Sequence, residues 1–197
     1  DIIPKMVDEY HQQLRAYSGQ DFLGKLNNPV WHIHGNSVPN SHMAVPFSML
    51  LNLASVSGAE EKGTLWGFIK RYQSEASPET HPDLDQAVGF AVAFYNDFVK
   101  PKKIYREANE LEREAILDLR NKLSDYEGDL DAESLQSIVF SCGRERFDPL
   151  RKWFQALYEI LLGASQGPRF GGFIALYGIE ETIALIDSAL EGNFCND

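Results

Sequence analysis

Two histidines spaced two apart, His32 and His34, with His42 a little further on, are the first residues whose types and spacing suggest chemistry. Neutral imidazoles bind zinc or iron, and on an extended segment His32 and His34 would point the same way. A metal site needs more than that. No H-E-x-x-H pattern or comparable acidic partner accompanies the pair, so an ordinary surface role is the stronger reading and no metal is expected. Nucleophilic catalysis has no constellation either. There is no G-x-S-x-G, and Cys142 sits on an apolar stripe where a buried thiol would be inert. Cys142 and Cys195, the only cysteines, lie far apart in sequence and suggest neither a disulfide framework nor a zinc knuckle. No catalytic residue and no bound cofactor is assigned to the chain.

Cations beside aromatic rings offer binding chemistry instead. In Gly167-Pro168-Arg169-Phe170-Gly171-Gly172-Phe173, Arg169 and Phe170 stand at a glycine-flexible helix entrance. An arginine there could grip a backbone phosphate while the ring stacks an unpaired base. The competing reading is a helix junction with Phe170 and Phe173 in the core, which chemistry alone favours because aromatics near turns are usually buried. The stretch does not match the G-x-x-x-x-G-K-[ST] phosphate loop and lacks a preceding strand. Lys70 and Arg71 share a helix with Phe68 and Tyr72, which are four apart and expected to face inward, leaving the two cations outside. Arg144, Arg146, Arg151 and Lys152 form a further basic group split by Pro149, whose plain reading is a solvated helix end.

Composition weighs against a nucleic-acid partner. With 18 basic and 29 acidic residues the formal charge is −11, whereas affinity for phosphates comes mainly from Lys and Arg displacing counterions. A ligand feels the local face it meets, however, so the distribution matters more than the total. Two regions stand out from the acidic background. Lys100 to Arg106 contains no acid, and the group from Arg144 to Lys152, with Arg169, contains few.

The elements that must position these residues are helices. Apolar residues recur at helical spacing almost everywhere, and no alternating run argues for a strand. A first helix carries Met6, Val7, Tyr10, Leu14 and Tyr17, and a polar loop is expected from Asn27 to Asn40. Pro46 opens the next helix, and Ser57 with Glu60 fits a capping box for a helix bearing Leu65, Phe68, Ile69 and Tyr72. Pro82 suits the first turn of the following one. Helices are also predicted over Glu107 to Leu123, from an N-cap near Asp131, after Pro149, over Phe173 to Tyr177, and from Ile179 to Gly192. The expected architecture is an all-α bundle or cage of two consecutive helical subdomains, residues 1–105 and 106–197, divided at Pro101 to Arg106. No apolar run approaches the roughly 20 residues of a membrane span, and a reducing cytosol is the expected setting. The start without methionine suggests a piece of a longer protein.

Several segments, in order along nearly the whole chain, resemble class I lysyl-tRNA synthetases. They include Asp1-Ile2-Ile3-Pro4-Lys5-Met6-Val7-Asp8-Glu9-Tyr10, Asn28-Pro29-Val30-Trp31-His32-Ile33-His34, Phe47 to Ser55, Thr64 to Ile69, Asp97 to Pro101, Trp153 to Tyr158 and, most specifically, Gly167 to Gly178. In that family a catalytic nucleotide-binding fold with HIGH-like and KMSKS-like signatures comes first, followed by a helical cage that receives the anticodon end of tRNA. His32-Ile33-His34-Gly35 is only a scrambled HIGH, in the wrong order and context. The resemblance therefore implies a C-terminal, anticodon-binding part that recognises lysine tRNA, with ATP and lysine bound by a catalytic domain this chain does not contain. It implies no DNA and no membrane partner. Arg169 and Phe170 are the first contact residues it suggests, followed by Lys70, Arg71, Arg144, Arg146 and Lys152. A helical protein-interaction module without RNA binding is the alternative, favoured by the acidic balance.

Overall fold

A computed structural model of the chain describes residues 2–39, 43 and 45–194. His42 and Cys195, on which parts of the metal and cysteine readings rest, lie outside the described residues. Among the described residues there are eleven α-helices and no strand, so the chain is all-α as its periodicity predicts.

The first helix, α1 (Ile2–Gly19), is followed by α2 (Phe22–Asn27) and by α3 (Pro29–His34), the latter inside the stretch from Asn27 to Asn40 where a loop is expected. Short polar side chains cap both of these helices. Asp21 accepts from the Gly24 amide at 2.8 Å and Asn28 from the Val30 amide at 2.9 Å, each satisfying a helix-end donor that would otherwise be orphaned. The Asn28 side-chain amide also donates to the Gln13 carbonyl at 3.1 Å and to Gln20 at 3.0 Å, tying α3 back to α1.

Next come α4 (Phe47–Ser57), α5 (Lys62–Tyr72) and α6 (Pro82–Phe94), the last running on through a π-helical turn at Tyr95–Val99. The capping box expected at Ser57 and Glu60 does not form. Ser57 is the final residue of α4 and donates its hydroxyl to the Leu53 carbonyl at 2.6 Å, while left-handed Gly58 closes that helix. Glu60 pairs with Lys100 instead. A genuine capping box lies at the start of α7 (Glu110–Ser124), where the Asn109 and Glu112 side chains each accept from the other's backbone amide at 3.0 Å.

The remaining helices are α8 (Ala132–Arg144), α9 (Arg151–Leu157), α10 (Phe170–Tyr177) and α11 (Ile179–Leu190). Asp131 caps α8 through the Ser134 amide at 2.8 Å, as its position suggests. A π-helical turn, Tyr158–Leu162, extends α9 to left-handed Gly163.

Helix α10 lies at the centre. Seven of its eight residues, all but Gly172, are buried, and a helix apolar on all sides must be enclosed by others. It packs most closely on α8 and also meets α4, α5 and α11. Its contact with α8 requires Gly171, because a Cβ there would stand 2.1 Å from the Ala132 carbonyl oxygen. The Gly171 amide donates to buried Gln136 at 2.8 Å. No helix covers Lys103 to Asn109, near the expected division of the chain, but buried residues on both sides belong to one continuous core.

Candidate nucleic-acid interface

The structure separates the seven candidate contact residues into three places. Lys70 and Arg71 sit exposed at the end of α5, where Arg71 pairs with Glu181 at the start of α11 and lies 5.6 Å from the Phe68 ring. Arg169 and Phe170 stand at the entrance of α10, beside the N-terminal end of α8. Arg144, Arg146 and Lys152 gather where α8 turns into α9. The 13 residues of α8 put its two ends roughly 18 Å apart at a rise of 1.5 Å per residue. Arg169 and the α8–α9 turn therefore address different parts of the surface.

Phe170 cannot stack a base as arranged here. Its ring is fully buried, stacked on Tyr158 at 5.4 Å and edge-on to Phe173 at 6.0 Å. The core-junction reading applies, because α10 can be buried on all sides only if its first aromatic is buried too. Arg169 remains outside, its guanidinium donating to both Glu133 carboxylate oxygens at 2.7 and 2.8 Å. The glycine-rich segment before α10 serves close packing. A Cβ at Gly167 would stand 2.5 Å from the Tyr158 ring, whose hydroxyl donates to the Pro168 carbonyl at 3.0 Å.

The acid-free stretch from Lys100 to Arg106 is neutralised in three dimensions. Lys100 pairs with Glu60. Arg106 donates to both Glu112 oxygens at 2.7 and 2.8 Å and to Glu159 at 2.6 Å, which holds both carboxyls below the usual range. Lys103 turns inward, donating to the Ser55 carbonyl and to the Tyr105 hydroxyl, and burial pushes its ammonium down to about 8. Only Lys102 of these four cations has neither an ion pair nor an inward contact among the described residues.

The α8–α9 corner differs. Arg144, Arg146, Arg151 and Lys152 are all exposed within nine residues, with Glu145 and Asp148 the only acids among them. Arg146 is held by Asp118 at 2.9 Å and by the Cys142 carbonyl at 2.8 Å, and Lys152 donates to the Asp148 carbonyl at 2.8 Å. Arg144 and Arg151 make no ion pair among the described residues. The two helices meet closely because Gly143 leaves room for Trp153, whose indole N–H donates to the Val139 carbonyl at 2.9 Å. One residue on in α8, Phe140 meets Phe154 edge-on at 5.2 Å and is 40% exposed. Arg144 follows Phe140 by four residues and Arg151 precedes Phe154 by three, so each arginine shares a helix face with one of the paired rings.

Sequence reasoning missed Phe140. The available signal was its place off the buried stripe of Leu135, Val139 and Cys142, four residues before an arginine. Cys142 itself is buried and its thiol is pushed up, chiefly by burial.

The histidine pair does not converge. His32 and His34 lie on helical α3 rather than an extended segment, where residues two apart point to opposite sides. His34 Nε2 lies 2.9 Å from the Tyr10 hydroxyl. Among the described residues no group of three or more His, Cys, Asp or Glu side chains is placed to hold a metal.

No family model matches the chain. Comparison with individual proteins does find relatives. The chain is 70% identical over all 197 of its residues to the protein named lysine–tRNA ligase from Roseobacter denitrificans. It is 40% identical over 193 residues, 96% of its length, to proteins of that name from Rickettsia conorii and Rickettsia felis. In each case the matched stretch makes up 37% of the relative's length. By sequence, then, the chain is similar along its entire length to part of the Roseobacter lysine–tRNA ligase, a protein of the family its motifs resemble.

Proposed function

We propose that this chain is the anticodon-binding helical region of a class I lysine–tRNA ligase, where it holds lysine tRNA and leaves amino-acid activation to the rest of that enzyme. The observation that carries this reading is the 70% identity over the full chain to a lysine–tRNA ligase of which it spans 37%. The all-helical architecture agrees with a cage for an RNA end. In this reading ATP and lysine are handled outside these residues, and lysine tRNA is the partner.

The α8–α9 corner is the best contact surface. Arg144 and Arg151 have no carboxylate partner to give up, and Phe140 offers an exposed edge beside them. Unpaired nucleotides are held by this combination of guanidinium groups on phosphates and a ring against a base. Arg146 and Lys152 widen the same positive surface. Arg169, Lys70 and Arg71 are second contacts, since Arg169 and Arg71 must first release Glu133 and Glu181. A gel-shift titration of the chain with lysine tRNA at several salt concentrations tests the corner. Replacing both Arg144 and Arg151 with Ala should weaken binding roughly tenfold and lower the salt slope by about 1 to 2. Unchanged affinity and slope would remove the corner from the interface.

A further inference from the structure

We infer that the face shared by α1, α6 and the Tyr95–Ile104 segment is a protein-docking surface, and that its occupant is the polypeptide lying outside the aligned stretch in full-length lysine–tRNA ligases. Six large apolar side chains on it are strongly exposed: Ile2, Ile3, Met6, Phe90, Phe98 and Ile104, from 55% at Phe98 to 79% at Ile104. They are contiguous. A hollow of about 670 Å³ is lined by Ile3, Met6, Phe90 and Phe94, and a second of about 1020 Å³ by Ile2, Ile3, Phe94, Phe98 and Ile104. Ile3 and Phe94 belong to both, so the two hollows are parts of one apolar surface.

A surface of this kind on a folded protein marks an interaction site, because leaving it in water forfeits the free energy of burial. RNA is a poor occupant. Both hollows are mainly apolar and their polar margins include the acids Asp83 and Glu159, whereas RNA needs cations and rings displayed together. Of the three cations at the second margin, Arg106 is committed to two carboxylates and Lys103 points inward, which leaves Lys102 alone to meet a phosphate.

The relatives identify the occupant. In all three ligases described above the aligned stretch is only 37% of the polypeptide, so it is accompanied by nearly twice its own length of protein. A segment of the same polypeptide reaches such a face at an effective concentration far above that of a free partner. This inference rests on the ligase relationship and the exposed face, and does not depend on tRNA binding.

Hydroxyl-radical footprinting tests the assignment without using RNA. Side-chain oxidation would be compared in the 197-residue chain and in a chimera whose matching stretch of the Roseobacter denitrificans ligase is replaced by this chain. Met6, Phe90 and Phe98 should oxidise at least fivefold more slowly in the chimera, while Phe140 and Tyr72 keep their rates. Equal rates at the first three would overturn the proposal. So would slow oxidation of those residues in the isolated chain accompanied by a dimer, in sedimentation analysis, that Phe98→Asp dissociates; that result assigns the face to a second copy. Should the chimera aggregate, the isolated chain decides by titration with the remaining part of the Roseobacter ligase as a separate polypeptide. A complex weakened tenfold by Phe98→Asp but not by Phe140→Asp supports the assignment, and no complex, or one indifferent to Phe98→Asp, overturns it.

Discussion

Arg169 and Phe170 are neighbours in sequence with opposite fates, and their substitutions should separate cleanly. Phe170→Ala empties a fully enclosed site against Tyr158 and Phe173 and should cost about 3–5 kcal/mol of stability, read from urea denaturation. Arg169→Ala removes an exposed ion pair and should leave the denaturation midpoint nearly unchanged. If Arg169 touches phosphate, the same substitution lowers the salt slope of tRNA binding. Lys103 makes a different prediction. Burial depresses its folded value to about 8 from an ordinary 10.5, so between those values the unfolded chain holds a proton that the folded chain has released. Stability attributable to this group must therefore rise with pH across that window. Denaturation at pH 8 and pH 10 should show the wild type gaining relative to Lys103→Met, and parallel changes in the two proteins would refute the assignment.

At the level of elements, residues that close or cap helices decided where the sequence was legible. Pro82, Asp131 and Gly178 set boundaries where their conformational preferences or side-chain acceptors predict them. The Ser57 and Glu60 pattern misled because left-handed Gly58 ends α4 one residue after Ser57, placing the serine at a C-terminus. Asn28, within the expected loop, misled because capping and turn-forming residues share the same short polar side chains. The close contact of α10 with α8 was invisible for another reason, since a glycine needed for packing reads like one needed for flexibility. Gly171→Ala should cost about 3 kcal/mol, because the new methyl meets backbone atoms that cannot move aside. Arg106 ties the segment before α7 to Glu112 and Glu159, and its hydrogen bonds are the main cause of the depressed carboxyl values. Stability from such groups is complete above their unfolded values and is lost as pH falls through the folded ones. Arg106→Ala should cost about 2 kcal/mol near neutrality, allowing for solvent screening. It should also flatten the loss of stability below pH 4.5, and an acid limb identical to the wild type would contradict this.

For the whole molecule, the class of fold follows from periodicity, whereas the arrangement of charge does not. The sum of −11 conceals that Lys100, Arg106, Arg146 and Arg169 engage carboxylates while Arg144 and Arg151 do not. Only the fold reveals which cations are committed, because Glu112, Asp118 and Glu133 reach their partners across 6, 28 and 36 residues of sequence. The same holds for the apolar stripe of α1, which reads as a core face yet leaves Met6 exposed where it joins Phe90 and Phe98. The claim on which the functional account turns is discrimination of an anticodon by a mostly acidic helical protein. Filter-binding titrations of this chain against lysine tRNA, and against the same tRNA carrying a different anticodon, measure it directly at one fixed salt concentration. The account predicts at least tenfold tighter binding to the unaltered tRNA, and equal affinity for the two would contradict it.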